Sequence, residues 1–138
     1  MPQSSVLLVD DEPAIRESLG RLLTHAGWVV TTASTCAEAR AALASMRPDG
    51  VILDVRMPDG GDGMSSGLEF LAVLRSQPGS ETLPVIILTG YFLSTDEDAA
   101  VRRNGASVLY KPADLRMIAR RLSSLCCGAS GQKPPWVG

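Results

Sequence analysis

The stretch SSVLLVDDEP, residues 4–13, passes directly from a short apolar run into three consecutive acids and a proline. The apolar run, residues 6–9, is too short for a helix and is typical of a strand buried on both faces of a sheet. Acids this close raise one another's pKa and resist burial, which indicates a site where a cation or hydrogen-bond donors offset them. The alternative is that the acids only open a helix, whose first turn favours negative charge, with Pro13 at an early position.

The same order of elements repeats along the chain. Apolar or β-rich segments predict strands at 6–9, 28–32, 50–53, 84–88 and 107–110. Helical spacing follows each of them, at 15–26, 35–46, 68–75, 94–104 and 115–125. Strands that alternate with helices pair in parallel and are joined by right-handed crossovers. The sequence therefore predicts an open, doubly wound α/β sandwich, with a five-stranded parallel sheet covered by helices on both faces.

The composition is that of one compact domain. The 138 residues are 45% apolar, enough for a single core, and we expect a domain at 1–125 and a C-terminal tail or linker at 126–138. The formal charge of −2, with scattered Lys and Arg residues, argues against direct binding of nucleic acid. The sequence has neither a signal-like N-terminus nor an apolar run of membrane-spanning length, which predicts a cytoplasmic protein without a membrane partner.

Two segments differ from the regular pattern. Residues 56–67, RMPDGGDGMSSG, are dense in turn-forming residues and predict a long loop. Residues 94–104 predict a polar helix with a thin apolar face, so we expect this helix to dock weakly on the sheet. A weakly held element of this kind is what a conformational switch requires.

Polar residues collect where the predicted strands end. Asp10 and Asp11 follow the first strand, Asp54 the third, Thr89 the fourth and Lys111 the fifth. In doubly wound sheets, ligands bind at this carboxyl edge. The acids suit Mg²⁺, the lysine and the threonine suit phosphoryl oxygens, and Asp54 is the candidate nucleophile. Each residue alone has a structural reading, such as a turn cap or a solvated charge, so only their joint placement indicates phosphoryl transfer.

Four motifs, VLLVDDEP, VILDVRMPDG, IILTG and YKPADL, resemble in sequence and in order the receiver domain of two-component response regulators. The resemblance covers about residues 4–125, and the motifs are specific jointly rather than singly. It implies a flavodoxin-like fold with strand order 2-1-3-4-5. It also implies a signalling phosphoacceptor, limited to self-catalysed phosphotransfer and autodephosphorylation, rather than an enzyme.

The resemblance implies a role for each residue at the predicted sheet edge. Asp54 receives a phosphoryl group from a phosphohistidine of a sensor histidine kinase or a phosphotransfer protein. Thr89 and Lys111 contact the phosphoryl oxygens. The implied ligands of Mg²⁺, or of Mn²⁺, are Asp54, Asp11, the backbone carbonyl of Arg56 and, through water, Asp10.

The resemblance also implies how the signal leaves the domain. Phosphorylation adds charge at the sheet edge and moves Thr89 with its loop. The face built from the fourth helix, the fifth strand and the fifth helix then changes its preferred partner. We expect that partner to be an output domain or a separate protein, and the same face could join two copies as a homodimer.

Two features depart from the family's pattern. Val108 stands three positions before the strand-end lysine, where an aromatic residue is usual, and Tyr110 lies two positions further on the same strand face. We expect an altered switch in which Tyr110 partly replaces the missing aromatic. The segment between Asp54 and Thr89 is also longer than usual. The surplus lies in the loop 58–67, which we expect to influence kinase docking rather than to shield the acyl phosphate from water. The alternative is a surface insertion without consequence.

Two other functions use a similar set of residues. A phosphohydrolase with an aspartyl nucleophile commonly has a second acid two positions after the nucleophile, where this chain has Arg56. A receiver-like interaction module that never accepts phosphate has no need of the complete set of acids, threonine and lysine. Turnover of phosphate esters would indicate the first function, and failure to accept acetyl phosphate the second.

Overall fold

The computed structural model describes residues 4–56, 67–90 and 92–130. These residues form alternating strands and helices. The strands are β1 (Ser5–Val9), β2 (Val29–Ala33), β3 (Gly50–Leu53), β4 (Val85–Thr89) and β5 (Ser107–Tyr110). The helices are α1 (Pro13–His25), α2 (Cys36–Leu43), α3 (Gly67–Ser76), α4 (Thr95–Arg103) and α5 (Leu115–Ser130). All neighbouring strands are parallel, in the order β2-β1-β3-β4-β5, which confirms the predicted fold.

The sheet separates two hydrophobic cores. The first core packs the sheet against α2, α3 and α4, and its buried members include Leu7, Leu53, Leu71, Ile87 and Val101. The second core packs the sheet against α1 and α5, and its buried members include Leu8, Leu23, Ile52, Ile86 and Leu122. Successive side chains of a strand point to opposite faces, so a strand that serves both cores is apolar throughout. This is why the central strands appear in the sequence as continuous apolar runs.

The last helix is longer than its apolar spacing predicts. Helix α5 continues to Ser130, whereas the sequence predicts an end at Leu125 and a tail from residue 126. The extension has a partner, because Cys126 packs against the second core and its thiol donates to the carbonyl of Asp49 at 3.3 Å. Residues 131–138 of the predicted tail lie outside the described residues. No helix in the described ranges combines the length and the apolar content needed to cross a membrane.

Helix α4 is stabilised mainly by its own sequence. The hydroxyl of Ser94 accepts a hydrogen bond from the N–H of Glu97 at 3.1 Å, and the Glu97 carboxylate accepts one from the N–H of Ser94 at 2.9 Å. Acids in the first turn and arginines in the last turn complement the helix dipole. Its contact with the core is small, since Val101 is its one buried residue. The helix is therefore well formed but weakly attached, as its polar sequence predicts.

Candidate phosphoacceptor site

The polar residues predicted at the strand ends lie together at the carboxyl edge of the sheet. Asp10 follows β1, Asp54 follows β3, Thr89 ends β4 and Lys111 follows β5. Backbone hydrogen bonds hold these ends side by side: the N–H of Asp54 donates to the carbonyl of Val9 at 3.0 Å, and that of Lys111 to the carbonyl of Thr89 at 2.6 Å. Asp10, Asp54 and Thr89 are buried. The structure thus brings these four residues into one cluster.

Lys111 lies at the centre of this cluster. Its Nζ is 3.1 Å from Asp54 Oδ2, 3.0 Å from Asp10 Oδ2 and 2.7 Å from Glu12 Oε1. The lysine side chain is only 12% exposed, and the bond between Lys111 and Pro112 is cis. Glu12 thus joins the cluster. The carboxylates of Asp10, Glu12 and Asp54 and the ammonium of Lys111 together carry a net charge of −2. A single cation therefore compensates three carboxylates in a largely buried space.

Burial and mutual repulsion disfavour the charged forms of two carboxyl groups. Burial raises the pKa of Asp10, and the Glu12 N–H and the Lys111 ammonium offset this only in part. Burial also raises the pKa of Asp54, with a further contribution from the charge of Asp10. Burial acts against the charge of Lys111, but its contacts with Glu12 and Asp10 outweigh that effect and raise its pKa. Lys111 therefore stays charged at neutral pH, but its single positive charge does not fully compensate the three carboxylates.

The chemistry of the cluster fits a divalent cation. Oxygen atoms of Asp10, Glu12 and Asp54 lie within 4.8 Å of one another. Asp10 Oδ2 is buried, and although it forms an ion pair with Lys111, it accepts no hydrogen bond from the described residues. Several hard oxygen donors with uncompensated negative charge are what Mg²⁺ requires of a protein.

The acids of this group differ in part from the predicted ligands. Asp11, a predicted ligand, is exposed and lies outside the group of three. Glu12, which is not among the predicted ligands, lies inside the group and contacts Lys111. The signal for Glu12 is its place directly after two acids, but sequence alone does not reveal which of the three adjacent acids contact the lysine.

Backbone N–H groups fix the orientation of both buried carboxylates. The N–H of Glu12 donates to Asp10 Oδ1 at 2.9 Å, and the N–H of Arg56 donates to Asp54 Oδ1 at 3.2 Å. Each bond spans two residues, as in an Asx turn. In both carboxylates the other oxygen pairs with Lys111. The local backbone therefore positions these acids before any ligand arrives.

Gly67 packs directly against the backbone of Asp54. At the start of α3, its N–H donates to the carbonyl of Val55 at 2.7 Å. A Cβ atom at this position would overlap the carbonyl oxygen of Asp54 and lie 2.9 Å from the carbonyl carbon. Only glycine allows such a close approach. The rest of the predicted loop, residues 57–66, lies outside the described residues.

An aromatic pair lies beside the cluster. Tyr110 is opposite Thr89 in the register of β4 and β5, and its exposed ring is 5.3 Å from the ring of Phe92, measured between centroids. Val108, two positions before the tyrosine, is half-buried and packs against the first core. The pair thus joins the segment that follows β4 to the end of β5. The contact between the two rings is not predictable from the sequence.

Known proteins are similar to this chain in sequence. The model of the response regulator receiver domain family matches residues 6–123. The probable transcriptional regulatory protein TcrX of Mycobacterium tuberculosis is 39% identical over 122 residues, 88% of this chain and 49% of that protein. The chain thus spans about half the length of TcrX. A 14.6 kDa protein of Leptolyngbya boryana is 34% identical over 126 residues, 91% of this chain and 92% of that protein.

A solved structure shares the fold of this chain. The crystal structure of a CheY-like response regulator receiver domain protein from Methanospirillum hungatei superimposes with a TM-score of 0.84. The match covers 94% of this chain and 98% of the other, at 23% identity. The sheet order, the acidic cluster around Lys111 and the family match lead to one conclusion: the chain belongs to the receiver domain family of two-component response regulators.

Proposed function

We propose that this chain accepts a phosphoryl group on Asp54. An oxygen of the Asp54 carboxylate attacks the phosphorus of a phosphohistidine; a P–O bond forms, the P–N bond breaks, and the histidine nitrogen leaves with the electron pair. The observation that carries this proposal is the ion pair between buried Asp54 and Lys111, at 3.1 Å. An ammonium in this position stabilises the negative charge on the phosphoryl oxygens during transfer.

The neighbouring residues have supporting roles in this proposal. The hydroxyl of Thr89 donates a hydrogen bond to a phosphoryl oxygen, and Lys111 contacts another. Mg²⁺, or Mn²⁺, when bound, neutralises charge on the phosphoryl group. Its proposed ligands are Asp54, Asp11, the backbone carbonyl of Arg56 and, through water, Asp10. Because Asp11 is exposed, this role requires its side chain to turn towards the cluster.

We further propose the partners that a receiver requires. The phosphoryl donor is a sensor histidine kinase or a phosphotransfer protein, and the face of α4, β5 and α5 contacts an output domain, a separate protein or a second copy of this chain. In this scheme residues 1–125 are the receiver and residues 126–138, which begin with the end of α5, are a tail or linker. The protein is cytoplasmic and does not itself bind nucleic acid. The acyl phosphate is lost by autodephosphorylation rather than by enzymatic turnover of other substrates.

Acetyl phosphate tests the proposed function directly. With Mg²⁺ present, intact-mass spectrometry should detect the gain of one phosphoryl group, and chelation of the metal should prevent it. A chain that is never labelled would contradict the proposal and favour an interaction module. Steady release of phosphate from many small phosphate esters would contradict it in favour of a phosphohydrolase.

We expect the rings of Tyr110 and Phe92 to transmit phosphorylation to the face of α4, β5 and α5. The pair links the segment after Thr89 to the residue before Lys111, so a movement of either end alters the ring contact. Beryllofluoride serves as a stand-in for the phosphoryl group. In Tyr110→Ala it should shift the amide resonances of α4 and α5 less than in the parent chain.

Two variants control this measurement. Tyr110→Phe keeps the ring contact and should respond as the parent does. Met117→Ala removes another apolar side chain of similar exposure, 43% against 42% for Tyr110, and should also leave the response intact. An undiminished response in Tyr110→Ala would contradict this role and indicate that Tyr110 is only a packed strand residue.

A further inference from the structure

We propose that Glu12 competes with the phosphoryl group on Asp54 for the ammonium of Lys111, and thereby sets how tightly the site holds that group. The inference rests on the proposed function. It starts from the shortest of the three ion pairs of Lys111, which is formed with Glu12 Oε1 at 2.7 Å. Glu12 is distant from Lys111 in sequence, and the fold brings the two side chains together.

Lys111 already contacts three carboxylates. Its Nζ donates hydrogen bonds to Glu12 and Asp54, and it forms an ion pair with Asp10 at 3.0 Å in which Asp10 Oδ2 accepts no hydrogen bond from the described residues. A phosphoryl oxygen is a further acceptor. It competes with these carboxylates for the charge and the N–H groups of the ammonium.

The exposure of the three carboxylates decides which one leaves. The side chains of Asp10 and Asp54 are 1% and 6% exposed, whereas that of Glu12 is 55% exposed. A buried carboxylate that loses its cation stays desolvated, and this costs far more than the same loss at an exposed carboxylate, which water can hydrate. Glu12 is therefore the acid that a phosphoryl group displaces.

The backbone allows this displacement without rearrangement. Glu12 is the N-cap residue of α1, yet its side chain makes no capping hydrogen bond. Its backbone N–H is held by Asp10 Oδ1 at 2.9 Å. The side chain can thus swing away from Lys111 while the helix start and the Asp10 carboxylate stay in place.

Beryllofluoride binding at saturating Mg²⁺, followed by amide chemical shifts, tests the inference. Glu12→Gln removes the charged competitor and should bind beryllofluoride about two- to fivefold more tightly than the parent, the range expected for a half-exposed ion pair. Glu17→Gln makes the same change at an exposed acid of α1 and should bind as the parent does.

Glu12→Asp separates competition for Lys111 from general repulsion. It keeps the charge but shortens the side chain, so that the 2.7 Å contact is lost. Competition predicts that Glu12→Asp binds as tightly as Glu12→Gln. Parent-like binding by Glu12→Asp, or no gain in Glu12→Gln, would overturn the inference while the proposed function stands. A parent chain that binds no beryllofluoride would overturn both.

Discussion

Asp54→Asn is expected to take up no phosphoryl group from acetyl phosphate under conditions in which the parent chain gains one. The amide is not a nucleophile for phosphorus, and Asp54 is the acid placed at the end of β3 against Lys111. Intact-mass spectrometry of both chains makes the comparison. Asp96→Asn, the same change at an exposed acid of α4, should be labelled like the parent. Unchanged labelling of Asp54→Asn would mean that another residue is the acceptor.

The same variant should be more stable than the parent. A carboxyl whose pKa is higher in the folded than in the unfolded chain favours folding as the pH falls towards that pKa, and opposes folding in its charged form above it. The pKa of Asp54 is raised mainly by burial, so its charge costs stability at pH 7. Urea unfolding without metal should give Asp54→Asn a higher free energy of unfolding than the parent. Loss of labelling with a gain in stability excludes misfolding as the cause.

Gly67→Ala is expected to damage the fold and the site together. The new methyl group would overlap the carbonyl of Asp54, and the atoms that it would meet belong to the backbone of Asp54 and Val55 rather than to flexible side chains. We expect the free energy of unfolding to fall by about 2–3 kcal/mol, the cost of forced overpacking. Phosphorylation should slow as well, because the displaced backbone carries the acceptor. Urea unfolding and the rate of labelling measure the two effects.

Gly20→Ala is a control in which the free energy of unfolding should change in the opposite direction. Gly20 lies inside α1, and a Cβ atom there would meet only Val30, at 4.0 Å. Alanine should therefore raise the stability by about 0.5–1 kcal/mol through helix propensity. If both variants were destabilised alike, the close approach of Gly67 to Asp54 would not be the reason.

The positions of the strands were predictable because their residues serve two cores at once. Segments 50–53 and 107–110 are continuous apolar or β-rich runs, and β3 and β5 begin and end at the predicted residues. Parallel pairing then places the carboxyl end of every strand at the same edge of the sheet. The convergence of Asp10, Asp54, Thr89 and Lys111 follows from topology, before any side chain is positioned.

Other features depend on side-chain geometry that a sequence does not display. Asp10 and Glu12, but not Asp11, are the acids of the group 10–12 that pair with Lys111, and this depends on the backbone turn at Asp10 and on the length of the glutamate side chain. The part of α5 beyond Leu125 makes a contact that the sequence does not indicate, between Cys126 and the carbonyl of the distant Asp49. The contact between Phe92 and Tyr110 joins two connecting segments, where periodicity gives no information.

The stability of α4 as an isolated helix bears on how fast the proposed output face could change. A helix that must melt and re-form has to repeat nucleation, the slow and unfavourable step of helix formation. Helix α4 carries its capping box and its Arg102–Asp98 ion pair with it, so it can change neighbours while every internal hydrogen bond stays closed. Of the residues of α4, only Val101 is buried, so a shift of the helix would repack few core contacts. We therefore expect α4 to shift as an intact helix, at the speed of side-chain repacking rather than of helix refolding.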